Sequence, residues 1–216
     1  MKSLFIDSSR TSLSVAIIEN KTLISSKIVD SHSKHSNFLM DSIKDLFTET
    51  NINIKDIDNI VALNGPGSFT GIRVCVTVAK TLAWSLNKKL YLLNNLEALK
   101  TGINNDIVIS VIPDKLNDSY VSIYDNESSI QNYMNLNDKQ LDFIDKNISV
   151  VYLDDSIFIE NLFNKLKGNN NVTLHKLDAY NYVSIVDKAL SNNNINVHMA
   201  EPIYLKKIDA EKKNVN

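Results

Sequence analysis

Two short segments of the chain carry residue types that could hold a phosphate group. One is Asp7-Ser8-Ser9, which follows a short apolar run, and the other is the glycine loop, Gly65-Pro66-Gly67-Ser68-Phe69-Thr70-Gly71. Glycine permits positive φ and close backbone approach, and unpaired amides at a helix start attract anions. The glycine loop is not a Walker loop, because no Lys-Ser or Lys-Thr follows at the required spacing. A tight turn that binds nothing explains the same residues.

If the two segments face one cleft, they predict a nucleotide or phosphate site. Its candidate contacts are Asp7, Ser8, Ser9, Gly65, Gly67, Ser68 and Gly71. Ser68 or Thr70 could cap the helix that follows the glycine loop, since a hydroxyl oxygen accepts the unpaired amides of a first turn.

The surrounding pattern predicts an α/β protein. Apolar runs at 4–6, 13–18 and 23–29, joined by short links, predict an antiparallel start. Helical spacing at 37–48, with Ser36 as N-cap, and at 71–86 alternates with apolar runs at 60–63 and 90–93. This order is that of one lobe of the actin-like and ribonuclease-H-like (ASKHA) folds, which serve many unrelated functions. Actin-like ATPases have an acidic residue and a phosphate-binding turn after the first strand, which is the place of Asp7 here.

The second half is less regular and predicts a smaller lobe. Strands are predicted at 107–112, 120–124, 150–153, 172–174 and 202–205, and helices at 156–166 and 180–190. We therefore predict an N-terminal lobe of residues 1–102 and a C-terminal lobe of residues 103–216. Residues from Lys206 onward are polar and are expected to fray.

The predicted helix after the glycine loop is apolar on nearly every side. One stripe is formed by Ile72, Val76, Ala79, Ala83 and Leu86, and further apolar residues cover much of the rest. One face packs on a sheet, so another needs a neighbour, which the helix at 37–48 supplies only in part. This predicts an interface with a second chain. Its candidate residues are Leu39, Ile43, Phe69, Cys75, Val78 and Leu82.

Composition narrows the function classes. The formal net charge is −2, which argues against a protein that grips nucleic acid alone. Asp7 interrupts the place where a signal peptide would have its apolar stretch, and no run approaches a membrane helix in length. The single cysteine, Cys75, cannot form an internal disulfide. These features predict a cytoplasmic protein without a membrane segment.

The segment Gly65–Arg73 resembles the signature of the TsaB (YeaZ-type) family. Further segments resemble the family in the same order: Phe5–Ser9, Lys34–Ser36, Leu96–Leu99 and Ala200–Leu205. The resemblance is strong over about the first hundred residues, weak from 101 to 196, and returns near Glu201. The chain departs from the family's usual Asp-Ala-Arg/Lys-Arg-x-Glu-Val-Tyr at Pro113–Tyr120, where Lys115 and Tyr120 keep their places but an acidic and a basic residue are lost.

The resemblance implies a non-catalytic partner subunit in the synthesis of threonylcarbamoyladenosine in tRNA. It implies docking on a TsaD-type catalytic subunit through the two N-terminal helices, with a TsaE-type ATPase in the larger complex. It also implies a homodimer when the chain is alone, contact with tRNA only through the complex, and no cofactor of its own. ATP or ADP is expected, if at all, at the subunit boundary.

The sister TsaD family has a similar glycine loop, followed by a His-x-x-x-His metal site. Laid alongside without gaps from Gly65, those histidines fall on Asn95 and Leu99, which are poor metal ligands. The remaining histidines, His32, His35, His175 and His198, do not rebuild the pattern. The sequence therefore predicts that the chain holds no metal.

Two other functions fit parts of the sequence. An actin-like kinase or a glycoprotease-like hydrolase would use Asp7 as a metal-organising carboxylate. Against it, only Gly102 and Gly168 lie beyond Gly71, so the second half has no glycine-rich phosphate loop. A self-pairing regulatory protein would use the same apolar helix to form homodimers.

Overall fold

The computed structural model describes residues 1–30, 35–115, 118–125, 128–135, 141 and 143–205, and these form two compact units. The first unit combines residues 1–101 with 180–202, and the second combines 102–179 with 203–205. The chain thus returns to the first unit after building the second. The predicted division into lobes of 1–102 and 103–216 stays a prediction.

The first unit is built on a sheet with the strand order β3-β2-β1-β4-β5. Its strands are β1 (Lys2–Asp7), β2 (Ser12–Glu19), β3 (Thr22–Asp30), β4 (Asn59–Leu63) and β5 (Lys89–Leu93). β1 pairs antiparallel with β2 and parallel with β4, and β4 pairs parallel with β5. All five residues of β4 are buried, as expected for a strand covered on both faces.

Three helices accompany these strands: α1 (His35–Thr50), α2 (Phe69–Ser85) and α3 (Asn95–Lys100). α1 and α2 pack on each other and on one face of the sheet. The sequence pattern correctly predicts every strand and both long helices of this part. It misses α3, because a six-residue helix is too short to show a periodic pattern; Asn94 caps it by accepting from the Leu96 amide at 2.8 Å.

The second unit has a sheet with the order β10-β9-β6-β7-β8. Its elements are β6 (Ile107–Lys115), β7 (Asp118–Asp125), β8 (Ser128–Asn135), β9 (Asn147–Tyr152), α4 (Ile157–Leu166) and β10 (Asn171–Lys176). The sequence pattern misses β8, a polar strand that pairs with β7 at the edge of the sheet as far as the structure describes it. Leu116 and Asn117 lie outside the described residues, as does the chain from Lys206.

The returning segment contributes α5 (Tyr182–Leu190) and a 3₁₀ turn at Val197–Met199 to the first unit. The strand predicted at 202–205 is wrong: these residues form no strand, and Pro202 has no amide to donate. Val197 packs against the core beneath α2. The chain itself therefore supplies part of the cover that α2 was expected to need. Within the described residues, no helix is long and apolar enough to cross a membrane.

Candidate functional site

The two glycine- and serine-rich segments lie in contact. β1 and β4 are parallel neighbours, so their carboxyl ends meet at one edge of the sheet. The Ser68 amide donates to the Ser9 carbonyl at 2.7 Å, and the Ser8 hydroxyl donates to the Gly71 carbonyl at 2.9 Å. The glycine loop is therefore bound directly to the end of the first strand.

Close backbone approach explains two of the glycines. A Cβ added at Gly67 would lie 2.5 Å from the Ser9 carbonyl oxygen, and one added at Gly71 would lie 1.9 Å from that of Ser8. Both obstacles are backbone atoms, so no side chain can rotate away to make room. Close contact within the chain therefore explains why both positions are glycine, and a bound ligand is not needed to explain them.

Three amides of the glycine loop donate to acceptors within the chain. Gly65 donates to Asn95 Oδ1 at 2.8 Å, and Ser68 donates to Ser9 as described. The Gly71 amide donates to Ser68 Oγ at 3.3 Å, so Ser68 is the helix cap. A phosphate could not receive these three amides without displacing their present acceptors. Nucleotide contact stays a prediction.

Asp7 is almost completely buried. Its carboxylate accepts the Ser9 amide at 2.8 Å, and the residue is only 1% exposed. The rings of Tyr180 and Tyr182 pack on Phe5 with centroid distances of 6.0 and 5.3 Å. Burial raises the pKa of Asp7 above its ordinary value, although hydrogen bonds from Ser9 act in the opposite direction. A carboxylate in this setting does not fit the role of organising a solvated metal.

Tyr180 shares the Asp7 environment. Burial, and then the Asp7 charge, raise the pKa of Tyr180 well above its usual range. The Arg10 guanidinium lies 5.9 Å from the Tyr180 ring centroid and lowers the pKa of Asp7. Among the described residues, no group meets ordinary hydrogen-bond geometry with the hydroxyls of Tyr180 and Tyr182.

Asp7→Asn is expected to remove a pH dependence of stability. The folded state holds the Asp7 proton to a higher pH than the unfolded state, so wild-type stability falls as pH rises from 3.8 towards the raised pKa. Asparagine can still accept the Ser9 amide without carrying a buried charge. Urea denaturation at pH 4, 5.5 and 7 should show a flatter profile for Asp7→Asn. The exposed Asp41→Asn is the control, and equal slopes in all three proteins would contradict the expectation.

Asn95 is fully buried, at one of the two positions that align with the sister family's metal ligands. Its Nδ2 donates to Ser9 Oγ, its Oδ1 accepts the Gly65 amide, and its own amide donates to the Gly65 carbonyl at 2.9 Å. Leu99, at the other position, is also buried. The sequence showed that Asn95 is a poor metal ligand but gave no signal of this contact across thirty residues.

No metal cluster is present in the described part of the chain, as judged by groups of three or more His, Cys, Asp or Glu side chains. His32 and the side chains of His35 and Ser36 lie outside the described residues, so the predicted Ser36 cap stays a prediction.

Three of the six predicted interface residues need correction. Leu39, Ile43 and Cys75 are buried in the core of the first unit, where Cys75 Sγ donates to the Ile6 carbonyl at 3.3 Å. Burial raises the pKa of the Cys75 thiol. Apolar residues on an amphipathic helix fill the chain's own core first, which leaves these three no surface for a partner. Val78 and Leu82 are half-buried against the same core.

Phe69, in contrast, is 43% exposed, and Arg73 Cζ lies 3.7 Å from its ring centroid. Sequence analysis missed two more exposed apolar residues on α1, Phe38 and Met40, which are 40% and 46% exposed. A groove of about 400 Å³ runs between α1 and residues 52–54, with Met40 in its wall. Phe38 and Met40 are thus sequence neighbours of the predicted contact Leu39, and Phe69 is a predicted contact that is exposed.

Comparison with known proteins gives consistent matches. The family model for TsaD, tRNA N6-adenosine threonylcarbamoyltransferase, matches residues 23–112. The chain is 37% identical over 115 residues to the tRNA threonylcarbamoyladenosine biosynthesis protein TsaB of Bacillus subtilis, covering 53% of this chain and 50% of that protein. It is 30% identical over 125 residues to the tRNA N6-adenosine threonylcarbamoyltransferase of Treponema denticola, covering 50% and 37%. The chain thus matches half or less of the length of these relatives.

Solved structures match over nearly the whole chain. A Pseudomonas aeruginosa protein described as similar to peptidase YEAZ superposes with a TM-score of 0.75 at 17% identity, covering 95% of this chain and 99% of that one. YeaZ from the same organism gives a TM-score of 0.71 at 18% identity, covering 94% and 99%. At these identities the structural likeness establishes the fold alone.

The mixed α/β architecture and these neighbours place the chain in the class of actin-like fold proteins, which confirms the predicted fold. Within that class, the chain is similar in sequence to TsaB proteins over about half of its length, and in fold to the YeaZ structures.

Proposed function

We propose that this chain is a partner subunit in the biosynthesis of threonylcarbamoyladenosine in tRNA and docks on a TsaD-type catalytic subunit. The docking surface would comprise the exposed side chains Phe38 and Met40 of α1 and Phe69 and Arg73 of α2. This proposal is supported mainly by the exposure of these large side chains on two helices that pack against each other. Aromatic residues, Met and Arg are the types enriched in interface cores.

The choice of partner rests on similarity between the two families. Residues 23–112, which contain α1 and α2, match the TsaD family model. A TsaD-type subunit would then present helices related to these, and related surfaces can pair about an approximate two-fold axis. The same argument supports a homodimer when the partner is missing. A TsaE-type ATPase and tRNA would join through the complex, in the cytoplasm.

A second candidate is that the chain itself transfers the threonylcarbamoyl group, since the matching family model describes a transferase. The burial of Asp7 and of the apolar Leu99 weighs against a catalytic role, because neither side chain can hold a solvated metal. Transfer to tRNA by the isolated chain, supplied with divalent metal and an activated threonylcarbamoyl donor, would favour this candidate over the first.

Phe69→Ala and Phe38→Ala are expected to weaken binding to the purified TsaD-type subunit by about thirty-fold each, as for aromatic anchors at an interface centre. Both side chains are exposed, so truncation should leave the fold intact. Isothermal titration calorimetry measures the affinity. Ile144→Ala, an exposed apolar residue of the second unit, is the control. Equal binding by wild type and both variants would refute this docking surface, and no binding by wild type would refute the partner.

A further inference from the structure

Asn95 is the common partner of the two segments that meet at the end of β1. Its side chain joins Gly65, at the start of the glycine loop, to Ser9, which follows the first strand. Ser9 in turn accepts the Ser68 amide through its carbonyl oxygen and donates its own amide to Asp7. The side chains of Asn95, Ser9 and Asp7 are all more than nine-tenths buried.

We propose that Asn95 is a positioning residue for partner docking, which holds the glycine loop so that α2 starts in the direction that presents Phe69 and Arg73. This rests on the proposed docking function and adds the residue that controls its geometry. Asn95 would act on these side chains through Gly65 and Ser9.

The Asn95 side chain donates and accepts hydrogen bonds at the same time. Asn95 Oδ1 accepts from the Gly65 amide, while Nδ2 donates to Ser9 Oγ. An ionised aspartate has the same shape but cannot donate, and leucine or alanine can do neither. A buried polar atom left without its partner is unfavourable, so Ser9 and the loop bound to it would move to restore a hydrogen bond.

The loop is short enough for this contact to reach the docking surface. Phe69 begins α2 four residues after Gly65, and between them the loop is held at Ser68 by Ser9. Farther along α2, the helix is fixed separately by Ile72 and Ala79 in the core. Losing the Asn95 contacts would therefore loosen the first turn while the rest of the helix stays packed. Binding would weaken because a preorganised surface becomes mobile.

Asn95→Asp tests this role, because lowering the pH should restore the missing hydrogen-bond donor. A protonated carboxyl group can donate one hydrogen bond and accept another, as the amide does, whereas the ionised form cannot. Burial favours the protonated form. We expect Asn95→Asp to bind the TsaD-type subunit about tenfold more weakly than wild type at pH 8, and to recover most of that loss at pH 5.5.

Wild type at both pH values controls for the other charged and titratable groups around the site. These groups are Asp7, Arg10, Cys75, Glu97, Tyr180 and Lys188. Asn59→Asp is the matched control, since Asn59 is also buried and its Nδ2 donates to Ser3 Oγ at 3.4 Å, at the opposite end of β4. It should bind as wild type does at both pH values wherever it remains folded.

Amide hydrogen exchange separates the inference from the proposed function. Faster exchange confined to residues 65–69 of Asn95→Asp at pH 8, with weaker binding that recovers at pH 5.5, supports the positioning role. Wild-type-like binding at pH 8, or a loss in folded protein that does not recover at pH 5.5, overturns it. If wild type does not bind the subunit at all, the proposed function fails, and the exchange pattern alone still decides whether Asn95 holds the loop.

Discussion

Gly71→Ala is expected to lower the free energy of unfolding by about 3 kcal/mol or more, the upper part of the range for overpacked sites. The added Cβ would lie 1.9 Å from the carbonyl oxygen of Ser8, and that carbonyl belongs to the segment that follows the buried strand β1. Relief requires α2 or the end of β1 to shift. A shift of α2 disturbs the core contacts of Ile72 and Cys75, which follow within its first turns.

Urea denaturation followed by circular dichroism measures this effect. Gly168→Ala is the matched control, because a Cβ at Gly168 would meet nothing within 4 Å. The control should stay within about 1 kcal/mol of wild type, on the stabilising side if the unfolded chain loses freedom. Similar stability of both variants would contradict the close contact between the glycine loop and Ser8. A loss of stability in Gly71→Ala but not in Gly168→Ala would establish that contact.

The first half of the fold could be predicted because each element carries its own periodic pattern. β1 and β4 are short apolar runs, and α1 and α2 show helical spacing of apolar residues. Once β1 and β4 are parallel neighbours, the meeting of Asp7 with the glycine loop follows from topology. The less regular second half shows the limit, since the polar strand β8 is defined by its pairing with β7 and not by its own residues.

The details of the site could not be predicted, because they depend on contacts between distant residues. Tyr180 reaches Phe5 only because the chain returns to the first unit. From the sequence, Asn95 is only a poor metal ligand. Its role as hydrogen-bond acceptor from Gly65 and donor to Ser9 is visible only in the folded structure. Sequence periodicity also selected Leu39 as an interface residue, when the same periodicity is the signal of a core position.

Leu39→Asp and Met40→Asp, at adjacent positions of α1, are expected to differ sharply in stability. Leu39 is fully buried in the core of the first unit, so the substitution buries a carboxylate without a partner. Breaking a core in this way costs about 3–5 kcal/mol or more, which is a large part of the stability of a typical domain. Leu39→Asp should therefore unfold or fail to accumulate as soluble protein. Met40 is 46% exposed, so Met40→Asp should retain wild-type stability to within about 1 kcal/mol.

The same two variants distinguish a core position of α1 from a position on the proposed docking surface. Met40→Asp places a hydrated charge in the wall of the groove beside α1, where an apolar partner side chain would have to desolvate it. We expect calorimetry with the TsaD-type subunit to show binding weakened at least tenfold in a protein that melts as wild type does. A folded Leu39→Asp would contradict the burial of that face of α1. Unchanged binding by Met40→Asp would remove the groove from the docking surface and leave Phe69 and Arg73, at the start of α2, as its centre.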